Sequence, residues 1–147
     1  MLLILFLIRS LKQGKFTLAT ELFEAGKFDD LVLEYTQERG RNSQCRFLQA
    51  KHKLKETRKK TKISFSDLTT GSAKGEFGLQ KYFKSFQMIK ENPKYQGRIR
   101  DLIICTNIDF DSLEDLKGNG VTLHSITEPD EMLSFDNDTR GMCLMQY

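Results

Sequence analysis

The sequence predicts a mixed α/β domain, with a central sheet flanked by helices, and three observations carry that reading. Its 147 residues suit one hydrophobic core and are too few for a repeat array or for two ordinary domains. A composition of 39% hydrophobic and 29% charged residues, with only two prolines, excludes disordered and fibrous classes. The third observation is the order of patterns along the chain. An apolar helix-like run is followed by three strand-like runs, a stretch of helical spacing and a fully apolar strand-like run.

Leu2 to Ile8 is unbroken apolar and reads as the buried part of a helix over residues 2–13, stopped by Gly14. It is too short to cross a bilayer, and neither a preceding basic segment nor a small-residue cleavage site marks it as a signal peptide. Its start at full hydrophobicity, without a capping residue, predicts a natural chain that extends upstream. Residues 15–23 follow as a strand built on Phe16, Leu18 and β-branched threonines, and Ala25–Gly26–Lys27 makes the turn. Residues 30–36 form the second strand, residues 37–44 a polar loop and residues 45–52 the third strand of an antiparallel meander. From Glu76 onward Leu79, Tyr82, Phe83, Phe86 and Ile89 recur at three- and four-residue steps, predicting a helix closed by Asn92–Pro93. The aromatic stripe Phe77, Tyr82, Phe83 and Phe86 is read as core. Residues 100–107, with Leu102–Ile103–Ile104–Cys105, make a buried strand, and residues 121–126 a shorter one after Gly118–Asn119–Gly120.

A net charge of +3 hides an uneven distribution. Residues 107–147 hold nine acids against Lys117 and Arg140, a net −7, which leaves +10 on residues 1–106. A basic body of this kind suits a polyanionic partner. Within it, the stretch 51–62 carries seven bases and one acid, Glu56, a local +6. The three cysteines, Cys45, Cys105 and Cys143, are odd in number and sit in apolar or strand-like sequence, which fits reduced thiols and a cytoplasmic or nuclear setting. His52 and His124 have no second histidine or cysteine at ligand spacing, so zinc is disfavoured. Gly71–Ser72–Ala73–Lys74–Gly75 lacks the full phosphate-loop pattern and reads as a connector.

Two strand-borne signals carry the chemistry: Phe28–Asp29–Asp30–Leu31–Val32–Leu33, and Arg46–Phe47–Leu48–Gln49–Ala50–Lys51–His52–Lys53. Side chains alternate faces along a strand, so Gln49 and Lys51 project to one side, where Asp30 of the neighbouring strand can meet them. An acid opening an apolar strand, then an acid or amide two residues before a lysine, resembles the PD-(D/E)XK nuclease superfamily. The variant here is Gln-x-Lys. The wording Asp29–Asp30–Leu31–Val32 and Leu48–Gln49–Ala50–Lys51–His52 is most similar to nuclease domains that accompany nucleotide-binding defence proteins. The resemblance implies a restriction-endonuclease-like αβββαβ core over about residues 2–107 and hydrolysis of phosphodiester bonds in DNA. It makes Asp30 the main ligand of a Mg²⁺ or Mn²⁺ ion, with Gln49 adding its side-chain oxygen and Lys51 as the catalytic lysine. Asp29 is the alternative to Asp30, because a one-residue register change exchanges the two faces.

Two features depart from the superfamily pattern. Gln49 is neutral, and residues 2–13 contain none of the acids that the first helix usually supplies; Glu21 and Glu24 are the nearby substitutes. Lys53, Lys55, Arg58, Lys59, Lys60 and Lys62 leave the site directly and are expected to follow a phosphate backbone, without base-specific readout. Residues 1–126 are taken as the nuclease-like domain, and residues 127–147 as an acidic tail or the start of a following segment. The expected partner is DNA rather than a membrane, with further domains outside this chain; nucleases of this type often act as dimers, which admits a homodimer. The competing expectation is a catalytically inactive module of the same fold that binds nucleic acid or a protein. A purely structural α/β domain is the reading that remains if Asp30, Gln49 and Lys51 do not cluster.

Overall fold

The computed structural model describes residues 2–11, 15–36, 43–51, 62–71, 75–112, 123–125 and 141–146. The elements are α1 (Leu2–Ser10), β1 (Phe16–Ala19), a 3₁₀ segment (Phe23–Phe28), β2 (Leu31–Thr36), β3 (Ser43–Lys51), β4 (Lys62–Ile63), α2 (Phe65–Thr69), α3 (Leu79–Glu91), β5 (Ile99–Thr106), β6 (Asp109–Phe110), β7 (Leu123–Ser125) and β8 (Gly141–Gln146). The architecture is mixed α/β. Six strands form one sheet in the order β1-β2-β3-β5-β8-β7, and β4 pairs with β6 in a small second sheet. β1–β2 and β2–β3 are antiparallel pairs, whereas β3–β5, β5–β8 and β8–β7 are parallel pairs.

Alternation along the strands splits the interior into two layers. Val32, Cys45, Phe47, Leu102 and Ile104 face Tyr82 and Ile89 of α3 together with Phe28 and Tyr95. Leu31, Leu33, Tyr35, Leu48, Ile103 and Cys105 form the opposite layer against Phe6 of α1. The α3 layer is closed by aromatic contacts, Phe28 on Tyr82 at 5.4 Å and Phe47 edge-on to Tyr95 at 5.0 Å between centroids. These geometries add stabilisation beyond simple burial. A helix on each face of the sheet is what a mixed sheet with two apolar faces needs.

Several expectations are corrected. The strand expected over residues 15–23 ends at Ala19; Glu21 turns the chain at φ +53°, and residues 23–28 wind as 3₁₀ helix. The segment kinks at Gly26, and Ala25 and Phe28 on either side of the kink are both fully buried in the layer that faces α3. Gly26, at φ +59°, lies so close to α3 that an added Cβ would stand 2.8 Å from Ser85 Oγ, so the turn needs glycine on two counts. Helix α1 buries Phe6 and Ser10, yet Leu3, Ile4, Leu7 and Ile8 are exposed, so it touches the sheet through one narrow face instead of being enclosed. Phe83 is also exposed, because the buried arc of α3 is centred on Tyr82, Ser85 and Ile89. Finally, Gly141–Gln146, assigned from sequence to the acidic tail, hydrogen-bonds between β5 and β7 as β8. It covers what would otherwise be a bare sheet edge on β5. The expected helix after Glu76 and the strand 100–107 appear within a few residues as α3 and β5.

Candidate active site

The register of the first two central strands brings the candidate residues together. Leu31 stands opposite Leu48 in the antiparallel β2–β3 ladder, and one further step of that register sets Asp30 beside Gln49. The Asp30 carboxylate is held there by two donors on one oxygen: Gln49 Nε2 donates to Oδ2, and the backbone N–H of Ala50 donates to the same atom at 2.6 Å. Gln49 Nε2 also lies 3.4 Å from the Ala50 carbonyl oxygen. Gln49 is buried, whereas Asp30 and Lys51 are half-buried, so the cluster opens toward solvent on its Asp30–Lys51 side.

Lys51 follows Gln49 on the same face of β3, about 7 Å further along the strand. It is paired in the parallel β3–β5 ladder with Thr106, as Gln49 is with Ile104. Asp30, Gln49, Lys51 and Thr106 all continue the α3 layer beyond its apolar part. They sit at the carboxyl ends of the parallel strands β3 and β5, the place where open α/β sheets bind ligands. Thr106 is fully buried, and its Oγ1 accepts the Ile108 N–H at 3.2 Å, fixing the chain as it leaves β5.

Two side chains of α3 bear on this layer: Tyr82, which the sequence reads as core, and Lys81, which it does not single out. Tyr82 donates its hydroxyl to the Glu76 carbonyl at 3.2 Å. Burial, followed by the negative charges of Glu76 and Asp30, pushes its phenol far above the usual range. Lys81 donates from Nζ to the Gly75 carbonyl at 2.6 Å and to that of Glu76. Burial, followed by the like charges of Lys51 and Lys27, lowers the Lys81 ammonium from its ordinary value against a smaller opposing pull from Glu76. No periodic signal distinguishes Lys81 from the other lysines of α3; only its place beside the 3₁₀ segment does.

The structure places the remaining candidates as follows. Asp29 is half-buried at the end of the 3₁₀ segment, outside the hydrogen bonds that join Asp30, Gln49 and Ala50. Glu21 is exposed, and Glu24 is bound elsewhere, to Lys94 at 3.3 Å and to the Tyr95 hydroxyl at 3.3 Å. Neither stands in for a helical acid on this observation. Lys62 is exposed at the start of β4, while His52, Lys53, Lys55, Arg58, Lys59, Lys60 and His124 as a side chain lie outside the described residues.

A second polar cluster, missed in the sequence, lies on the α1 face near the other end of the sheet. Arg46 Nε pairs with Asp101 Oδ2 at 3.1 Å and donates to the Tyr35 hydroxyl at 3.3 Å; Tyr35 in turn donates to Gln44 Oε1 at 3.0 Å. Both charged groups are buried. Desolvation lowers the Arg46 guanidinium and raises the Asp101 carboxyl, and in each case the partner's charge opposes the shift. Burial likewise raises the Cys45 thiol and pushes Cys105 up to about 12, so neither is a reactive thiolate at neutral pH.

The donor set bears on a metal. Asp30 Oδ1 and Gln49 Oε1 accept no hydrogen bond among the described residues, and both are hard oxygen donors of the kind Mg²⁺ takes alongside water and substrate phosphate. Among the described residues there is no group of three or more His, Cys, Asp or Glu side chains that could hold an ion unaided. None of the described helices is long and apolar enough to cross a membrane. No family model, curated protein or solved structure matches this chain.

Proposed function

We propose that this domain is a metal-dependent nuclease module of the PD-(D/E)XK type, hydrolysing phosphodiester bonds in DNA. The observation that carries the proposal is the meeting of Asp30 with Gln49 on the face and at the strand end that Lys51 shares. The order α1, β1, β2, β3, α3, β5 supports it, as do two antiparallel pairs followed by a parallel one and helices on opposite faces. A defence or host–parasite setting rests on the resemblance of the two motifs alone.

Each residue has a definable task. The Ala50 N–H fixes the Asp30 rotamer through Oδ2, which leaves Oδ1 for an ion. Gln49 would contribute Oε1, and the buried position of its side chain limits its movement. A divalent cation bound there would offset charge on a non-bridging phosphate oxygen and acidify an attacking water. Lys51, half-buried two residues beyond Gln49 on the same face of β3, would donate hydrogen bonds from its ammonium toward the reacting phosphate and stabilise the charge that develops on it. With one carboxylate and one amide, the protein holds the ion weakly until phosphate oxygens complete its shell.

The test is cleavage of plasmid DNA with Mg²⁺ or Mn²⁺ by the wild type and by Lys51→Ala, with circular dichroism confirming the fold of both. Metal-dependent nicking that vanishes in the variant supports the assignment; equal cleavage by both sinks it. A second reading, a non-catalytic module that binds DNA, is favoured by the neutral Gln49 and by the absence of an acid in α1. Metal-indifferent DNA binding without cleavage would select it.

A further inference from the structure

Helix α1 has two unlike faces. Phe6 and Ser10 are buried, at 2% and 1% exposure, and Phe6 packs into the layer that holds Leu33, Leu48 and Ile103. Leu3, Ile4, Leu7, Ile8 and Leu11 turn outward, at 42% to 66% exposure. The Leu11 N–H donates to the Leu7 carbonyl at 3.1 Å, so the helical turn continues through Leu11 and these residues fall on one stripe. No polar residue interrupts the stripe. Its accessible area is roughly 500 Å², the size of apolar patch that marks an interaction site on a monomer.

The spacing says what the stripe fits. With Ile4 at position a of a heptad, Leu7 falls at d and Leu11 at the next a, while Leu3 and Ile8 flank them at g and e. Such a seam interlocks with a copy of itself, and isoleucine at a with leucine at d favours two helices over larger bundles. An uncharged stripe that meets itself brings no like charges together. Two copies together remove roughly 1,000 Å² from water, the lower bound of a specific association. A lipid surface is the poorer match, because an interfacial helix sets its apolar face against a strongly charged one. The reverse of α1 instead carries Phe6 and Ser10, buried in the protein.

We propose that the outer stripe of α1 is a homodimer interface, in which Ile4, Leu7 and Leu11 of one chain pack on the same residues of a second copy about a two-fold axis. The stripe lies on the sheet face opposite the layer that Gln49 and Lys51 continue, so the interface and the candidate site occupy different faces. The pairing stands independently of the proposed chemistry.

The experiment is sedimentation velocity of the full chain from low to high micromolar concentration. The wild type is expected to shift from the 17.1 kDa of one chain toward twice that mass. Leu7→Glu and Ile4→Lys, checked for folding by circular dichroism, are expected to stay at the mass of one chain throughout. Phe83→Glu and Met88→Glu alter exposed apolar residues of α3 instead, and both are expected to dimerise as the wild type does. Hydrogen exchange read by mass spectrometry needs no variant: protection of the amides of residues 3–11 is expected to rise with protein concentration, while that of α3 stays constant. A wild type at the mass of one chain at every concentration, a folded Leu7→Glu that still dimerises, or α1 protection independent of concentration overturns the proposal. So does a monomeric wild type that sediments with phosphatidylcholine–phosphatidylserine vesicles through Leu7, which would assign the stripe to a lipid surface. Neither metal nor cleavage enters these measurements, so failure of the nuclease assignment and failure of the interface are read separately.

Discussion

Gln49→Glu tests the central contact of the site directly. In the wild type the Gln49 amide donates to the Asp30 carboxylate; the variant replaces that donor with a second carboxylate in van der Waals contact. Two unit charges about 3 Å apart at an effective dielectric near 20 repel by about 5 kcal/mol. Proton uptake caps this, since raising one acid by about two pKa units costs about 3 kcal/mol. The half-exposed position of Asp30 trims the figure, and loss of the hydrogen bond adds to it, for a net destabilisation of about 2–3 kcal/mol. The sign with pH follows from the raised folded-state pKa. The penalty is full at neutral pH and shrinks as pH falls toward the ordinary glutamate value of about 4.3. Excess Mg²⁺, bound between the two carboxylates, is expected to restore stability by mass action. Urea unfolding without metal should show the midpoint lowered by about 1 M at neutral pH, less near pH 5, and recovered with Mg²⁺. A midpoint equal to wild type at neutral pH without metal would refute the contact on which the site is built.

Three other expectations concern the scaffold. Arg46→Ala leaves Asp101 buried without its cation and should cost about 3–5 kcal/mol, whereas the double change Arg46→Met with Asp101→Leu should return close to wild-type stability; a double-mutant cycle in urea measures both. Phe47 is fully buried and packs on Tyr95, so Phe47→Ala should lose about 3–5 kcal/mol, a large share of the stability of an ordinary domain, visible as a lowered melting temperature. Iodoacetamide at neutral pH should leave Cys45 and Cys105 unlabelled in the native protein and label both in urea, read by peptide mass spectrometry. Native labelling at either position contradicts their burial.

What could be read along the chain was local and periodic. The three- and four-residue spacing from Leu79 to Ile89 reports a helix with one buried face. The apolar run from Leu102 to Cys105 reports a strand buried on both sides. The same period-two logic set Gln49 and Lys51 on one face and made Asp30 their candidate neighbour, because strand alternation depends on nothing beyond the strand itself. Where local preference competed with packing, the reading failed. β-branched threonines favoured a long first strand, yet burial of Ala25 and Phe28 against α3 winds that segment into a 3₁₀ turn.

The remainder depends on partners that sequence spacing does not encode. Parallel pairs join distant strands, so nothing near Gly141–Gln146 announces that it lies against β5. Arg46 and Asp101 are separated along the chain and meet only across the β3–β5 ladder. In the same way Lys27 belongs to a turn and Ser85 to a helix, and the hydrogen bond from the Lys27 N–H to Ser85 Oγ exists only because the fold packs α3 against the 3₁₀ segment. The motif was therefore open to a reader of the chain, whereas the contacts around it are a product of tertiary structure: alternation acts within one element, but electrostatic and packing energies depend on distances between elements.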